Sequence, residues 1–260
     1  MEEFIKTLEI DGVVVMNNVY DGEQFEKIRF RFHEEWNAIY SEINNLDWKI
    51  AKFKKVDSPT FFLDNAIYQG KKFAQWKDYN VIDMNYGRYD FTNGGEIDFL
   101  MTDKIGEIVN YFLKDNWSGF WGGLPVVSGG NTAGYWHRDI ISLFEDETFD
   151  LAVPTFYLTM IIPLEDISMG EGTTEFVKGS HKINFWNSGI RSNKQLQEWI
   201  SERDILNGDM KANSVCIFNG LTVHRGGKNT SHKCRNAIYI VFKKNWYSDD
   251  DPKYYDLVKE

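Results

Sequence analysis

The chain has 260 residues and a formal net charge of −10, with aromatic residues at 16% and only two cysteines. An acidic chain lacks the basic face that nucleic-acid phosphates require, and anionic membrane surfaces would repel it. Two cysteines close at most one bridge, so a disulfide scaffold is excluded, and Cys216 and Cys234, both in strand-like runs, are expected as reduced core thiols.

The N-terminus, Met1-Glu2-Glu3-Phe4-Ile5-Lys6, is acidic and has no long apolar stretch, so a signal peptide is not expected. The apolar run Phe156–Leu164 is far short of the roughly 20 residues that cross a bilayer. The expectation is a soluble, cytoplasmic protein that contacts neither nucleic acid nor membrane; oligomeric state cannot be read.

Val13-Val14-Val15-Met16 reads as a short buried strand after an Asp11-Gly12 turn. Asp21 is placed to cap a helix whose Phe25, Ile28, Phe32, Trp36, Ile39 and Ile43 recur at helical spacing. Residues 46–100 have no clean period and are rich in aromatics; a stretch this long without regular structure is usually functional or hides short elements. Within it, Tyr86, Arg88 and Tyr89 form a polar-aromatic cluster that reads equally as one wall of a substrate pocket or as a solvated loop. Thr102 caps a second helix carrying Ile105, Ile108, Val109, Phe112 and Leu113.

From about 119 the pattern changes. Apolar runs at 119–128, 134–139, 153–163, 173–177, 213–218, 221–225 and 235–242 alternate with Gly/Asn turns, as in an antiparallel sandwich or barrel. One interruption, 193–205, reads as a short helix, and Asp249-Asp250-Asp251 as a solvated tail. The expected fold is mainly β with flanking α-helices. It forms one domain over 1–260: a helical and aromatic part (1–118), a β-core (119–245) and a tail (246–260).

The chemistry centres on Trp136-His137-Arg138-Asp139. Residues i and i+2 of a strand share a face, so His137 and Asp139 present an imidazole beside a carboxylate. They are two thirds of the 2-His-1-carboxylate set that holds Fe(II) and leaves positions open. Such a tripeptide alone also arises by chance. The third ligand must be a histidine on a neighbouring strand. Of the five histidines, His224 lies in a strand-like run, whereas His181 reads as a turn residue bonding the backbone, and His33 and His232 as exposed. Arg138 lies between the two ligands and points to the opposite face, to line the site's mouth or meet a surface acid; Trp136 belongs to the core. Arg235 opens the apolar run 235–242, and a buried guanidinium demands a carboxylate partner, which a small dicarboxylate would supply. No dinucleotide fingerprint, nucleophile elbow or zinc motif is present.

These pieces, in order, resemble the phytanoyl-CoA dioxygenase family of Fe(II)/2-oxoglutarate oxygenases. The likeness rests on Asp11-Gly12-Val13-Val14-Val15, on His137-x-Asp139, on Glu165 to Gly172 followed by Phe176-Val177-Lys178-Gly179-Ser180-His181-Lys182, and on His224-x4-Asn229-x-Ser231-x3-Arg235. It implies a double-stranded β-helix, a cupin-like jelly roll. It places Fe(II) on His137, Asp139 and His224 as the catalytic centre, and the far carboxylate of 2-oxoglutarate on Arg235. Tyr157, Thr159 and Ile161, alternating on the strand before the turn, would line the cosubstrate, with Tyr157 and Thr159 as its further contacts. Ile161 stands where relatives often carry a polar or aromatic residue, and Lys178 where they usually carry proline. The implied activity uses O2 to hydroxylate, desaturate or cyclise a C–H bond of a small-molecule substrate, and Asp139 argues against halogenation. Tyr86, Arg88, Tyr89 and Arg138 are the substrate-contact candidates. Two alternatives stay open: an Fe(II) enzyme of this triad that does not use 2-oxoglutarate, and a non-enzymatic cupin-like binding protein.

Overall fold

The computed structural model describes residues 1–44, 53–55, 61–63, 91–93, 96–124, 133–134, 136–140, 143, 153–184, 190, 192–231, 233–247 and 255–256. The N-terminal part holds α1 (Glu2–Asp11), β1 (Val13–Met16), α2 (Gly22–Asn44), β2 (Phe53–Lys55), β3 (Phe61–Leu63), β4 (Phe91–Asn93) and α3 (Asp103–Leu113). Then follow β5 (Trp117–Gly123), β6 (His137–Arg138), β7 (Tyr157–Pro163), β8 (Thr174–Val177), α4 (Asn193–Ser201), β9 (Ile205–Asn207), β10 (Val215–Asn219), β11 (His224–Gly226), β12 (Ala237–Lys244) and β13 (Tyr255–Asp256).

The caps anticipated from sequence are in place. Asp21 Oδ1 accepts the Gln24 amide at 2.8 Å and Thr102 Oγ1 accepts that of Ile105 at 3.3 Å, each satisfying a donor that a helix start leaves orphaned. The helix α1 is an addition to the expectation. Its Met1, Phe4, Ile5 and Leu8 recur at helical spacing, but only Leu8 is fully buried, so the stripe is weak in the sequence.

Two antiparallel sheets face one another. The larger runs β1-β10-β7-β12-β5-β4 and the smaller β13-β6-β11-β8-β9; β2 and β3 pair separately. Strand periodicity divides the large sheet's residues between two environments. Leu158, Met160 and Ile162 of β7, Val215 and Ile217 of β10, and Ile238, Ile240 and Phe242 of β12 pack outward against Leu8, Ile28, Phe32, Ile105, Ile108 and Leu113 of the helices. Each such side chain, fully buried, contributes roughly 1.5–3 kcal/mol. The alternate residues Ile161, Cys216, Phe218 and Ala237 turn inward and meet Phe176 of the small sheet. On the small sheet's outer face, Leu196 and Ile200 of α4 cover Trp136, Val177 and Val223. Because Val177 of β8 and Val223, the residue before β11, lie outside, Phe176 and His224 must point in. The result is a jelly roll with helices on the outside of both sheets.

Some expectations shift. The run 221–225 becomes a turn followed by a strand that starts only at His224. The strand β9 occupies the end of the helix expected over 193–205. Part of the supposed tail, Tyr255–Asp256, forms β13 against β6, a pairing set by backbone hydrogen bonding that side-chain polarity does not announce. Cys216 is buried, and burial pushes its thiol pKa up; Cys234, in contrast to the expected core thiol, is exposed, because the chain leaves the barrel between β11 and β12. His33 is half-buried, edge-on to Phe32. Tyr86, Arg88, Tyr89, His232 and the Asp249–Asp251 run lie outside the described residues. Among the described residues, no helix is long and apolar enough to cross a membrane.

Candidate functional site

The register of β11 against β6 pairs His224 with His137, which sets two inward imidazoles side by side with ring centroids 4.3 Å apart. Asp139 follows directly after β6. Its amide donates to the Gly220 carbonyl at 3.0 Å, which keeps the chain against the neighbouring turn for one further residue. That close approach needs a glycine: a Cβ at 220 would lie 2.7 Å from Tyr157 Cδ1 and 3.1 Å from Ile140 Cγ1.

One ligand atom from each of His137, Asp139 and His224 lies within 4.8 Å of the others. His224 Nε2 is 3.3 Å from Asp139 Oδ1. His137 and His224 are 8% and 6% exposed, so these donors sit within the barrel. Two imidazole nitrogens and a carboxylate oxygen, converging from one side, form a donor set that suits Fe(II) and leaves the opposite side open. No other group of three such side chains occurs among the described residues.

His224 and Asp139 are each oriented by a partner. The carbonyl of Thr222 can only accept, so its 2.9 Å contact with His224 Nδ1 puts the ring proton there and frees Nε2 for a metal. Thr159 Oγ1 donates to Asp139 Oδ2 at 2.5 Å, leaving Oδ1 toward His224. Phe218 and Phe176 wall the His224 ring at centroid distances of 4.7 and 5.8 Å. Burial pulls the Asp139 pKa up, but His224, His137 and the Thr159 hydroxyl together outweigh it and hold the carboxyl below its ordinary range. The group is therefore a carboxylate, as a ligand must be.

Arg235 is 5% exposed and lies two residues before the Ala237–Pro163 pair, at one end of the inward face of β12 and β7. It stands beside Gly172, where a Cβ would come within 3.7 Å of the guanidinium Nε and 3.3 Å of Asn229 Cβ. Gly172 also has φ +84°, a backbone region that other residues enter at a cost. Asn229, fully buried, organises the preceding loop: its Nδ2 donates to the Lys233 carbonyl at 3.0 Å and its Oδ1 accepts from Ser231 N and Oγ. That loop delivers Arg235 to the barrel.

Thr159, expected as a contact of the cosubstrate, lies against Asp139. Its proton is committed to Asp139, so it has none to offer a cosubstrate carboxylate, which is likewise an acceptor. Tyr157 shares the inward face but lies toward the other end of β7 from Arg235, packed with Ile140, Val241 and Tyr247. Arg138 does not line a mouth: it is buried, and its Nη2 donates to the carbonyls of Ser180 at 2.8 Å and Ile183 at 2.6 Å. An arginine outside the ligand face meets the outer loop there, through the carbonyls of Ser180 and Ile183. His181 is the turn residue expected, with Nε2 3.2 Å from the Glu9 carbonyl, and Trp136 is core. Thr222 gives no signal in the sequence, and Asn229 stands in the closing motif with no role assigned to it, since both act through contacts closed only by the turns around them.

Of known proteins, the Iron/alpha-ketoglutarate-dependent dioxygenase ausO of Aspergillus calidoustus is 22% identical over 239 residues, 91% of this chain and 70% of its own length. Among solved structures, AviO1 from Streptomyces viridochromogenes Tue57 superposes with TM-score 0.61 at 14% identity, covering 97% of both chains. EctD from S. alaskensis, solved with 2-oxoglutarate and 5-hydroxyectoine, superposes with TM-score 0.60 at 13% identity over 94% of this chain and 76% of its own. These two likenesses are of fold. The model of the phytanoyl-CoA dioxygenase (PhyH) family matches residues 8–237, from α1 to the first residue of β12, and so covers most strands of both facing sheets together with His137, Asp139, His224 and Arg235: the chain belongs to that family.

Proposed function

We propose that the protein, as one unit over 1–260, oxidises a C–H bond of a small-molecule metabolite, using O2 and 2-oxoglutarate at an Fe(II) centre held by His137, Asp139 and His224. The observation that carries this is the convergence of those three donors, within 4.8 Å of one another, inside the barrel. Bound there, Fe(II) with 2-oxoglutarate would activate O2, the oxidant, for attack on an unactivated C–H bond: two of its four electrons would come from 2-oxoglutarate, which leaves as succinate and carbon dioxide, and two from the substrate.

The chain's own residues bind and orient. Thr222 and Thr159 fix which atoms of His224 and Asp139 face the metal. Arg235, buried and always charged, pairs with the far carboxylate of 2-oxoglutarate through its planar fork. Ile140, Phe156, Tyr157, Val241 and Tyr247 form an apolar group reached from Asp139 through Ile140 and from Thr159 through its register partner Val241. It excludes water and offers an organic substrate an aromatic surface. The dioxygenase relative named for iron and alpha-ketoglutarate, and the EctD structure solved with 2-oxoglutarate and a hydroxylated small molecule, support the same chemistry.

The test is anaerobic addition of Fe(II) and 2-oxoglutarate, which should produce a weak visible charge-transfer band. His137→Ala and His224→Ala should abolish it, and a band that survives both substitutions defeats the ligand assignment. A metabolite screen scored by substrate-stimulated succinate release then finds the substrate class.

A further inference from the structure

The ladder between β8 and β11 is interrupted one residue before the metal ligand. The register pairs His224 with Phe176, so Val223 faces Val177. The Val177 amide donates directly to the Val223 carbonyl at 2.9 Å. The reciprocal bond runs through a side chain instead. The Val223 amide donates to Ser180 Oγ at 2.8 Å, and Ser180 Oγ donates to the Val177 carbonyl at 2.6 Å. Ser180 is 0% exposed, and its own carbonyl accepts Arg138 Nη2 at 2.8 Å. Arg138 stands between His137 and Asp139. One serine therefore bonds to residues adjacent to all three proposed ligands, from outside the barrel, and Arg138 extends the link to the Ile183 carbonyl.

From this we infer that Ser180 and Arg138 are positioning residues for the metal centre: an outer brace that sets the separation of β6 and β11, and with it the distance between His137 with Asp139 on one strand and His224 on the other. The inference rests on the metal-centre reading above. A two-residue strand such as β6 has little ladder of its own to hold its place. The brace supplies fixed contacts where the backbone pairing is thin. The hydroxyl is suited to this because it accepts and donates at once, spanning two backbone groups that both need a partner. Without it, a buried amide and a buried carbonyl lose their partner together, or the strands close and carry His224 with them.

The test uses full-length apoprotein and Co(II), a spectroscopic stand-in for Fe(II), in four variants: Ser180→Ala, Ser180→Thr, Arg138→Lys and, as control, Ser214→Ala. Ser214 is another fully buried hydroxyl, bonded to the Lys211 carbonyl at the start of β10, away from the ligand strands. Loss of an outer partner of a metal ligand typically weakens metal binding 10–100-fold. Ser180→Ala should lose Co(II) affinity at least ~10-fold and alter the visible Co(II) spectrum, Ser180→Thr should recover part of it, and Ser214→Ala should lower thermal stability without moving either. Arg138→Lys, which keeps the charge but not the fork, should weaken Co(II) in the same sense. It also keeps the question open to test if Ser180→Ala does not fold. Wild-type Co(II) affinity and spectrum in a folded Ser180→Ala, or in Arg138→Lys, overturn the brace. Failure of the wild-type protein to bind Co(II) would instead overturn the metal-centre reading itself.

Discussion

Replacing Thr159 by valine tests whether that hydroxyl serves the metal or the cosubstrate. The substitution removes one oxygen and adds a methyl group of nearly the same shape at a position 6% exposed. It deletes the 2.5 Å bond to Asp139 Oδ2 and leaves that oxygen without its donor. A hydrogen bond to a charged group contributes about 1.5–3 kcal/mol, and at ~1.4 kcal/mol per factor of ten this is a loss of roughly 10- to 150-fold. The loss should fall on metal affinity, since the carboxylate is then free to rotate Oδ1 away from His224. The assay is anaerobic Fe(II) titration with and without saturating 2-oxoglutarate. Thr159→Val should weaken Fe(II) by at least ~10-fold, and Thr159→Ser should restore most of it. If Thr159→Val bound Fe(II) like the wild type and lost 2-oxoglutarate affinity instead, the hydroxyl would serve the cosubstrate and the reasoning would be refuted.

Other outcomes follow from the same geometry. Arg235→Ala should lose 2-oxoglutarate affinity by ~100-fold or more with Fe(II) binding intact, the penalty for removing one partner of a buried charge pair of about 3–5 kcal/mol; unchanged affinity would favour an Fe(II) enzyme that does not use this cosubstrate. Phe176→Ala should destabilise the fold by about 3–5 kcal/mol in urea denaturation, because a fully buried ring between Phe218 and His224 leaves a cavity; a loss below ~1 kcal/mol would contradict that packing. His181 carries a pH dependence. Burial pushes its pKa down from 6.5 to about 4, with Lys182 and Arg138 acting in the same sense against the Glu9 carbonyl and Asp11. Above pH 6.5 it is neutral in both states and its contribution is complete. As pH falls from 6.5 toward 4 the unfolded chain takes up the proton first, and about 2 kcal/mol is lost after allowance for solvent screening. The melting temperature of the wild type should thus fall toward that of His181→Asn over this range, and a pH-independent difference would rule the assignment out.

Much of the site could be read before any coordinates. The i, i+2 spacing put His137 and Asp139 on one face, the strand-like run around His224 distinguished it from His33, His181 and His232, and the apolar run after Arg235 marked a guanidinium that had to be buried. Their ordered set also carried the family resemblance. The contacts of Thr159 and Arg138 were not legible. A hydroxyl near a carboxylate site and an arginine between two ligands each have several possible partners, and residue type does not choose among them. Ser180 stands inside the Gly179-Ser180-His181-Lys182 segment with no role legible there, because its bonds run to residues 3 and 43 positions away.

The sequence determined what is local: caps at Asp21 and Thr102, the helical stripes, the alternation that divides each strand into an inner and an outer face, and the residue types able to ligate iron. Only the tertiary structure decided register and closure. That His224 faces His137, that Asp139 meets Thr159 and that β13 returns to pair with β6 depend on backbone groups distant in the chain finding each other. A one-residue slip would reverse every face, and the packing of two sheets between outer helices, rather than any single segment's preference, selects the register that turns the ligands inward.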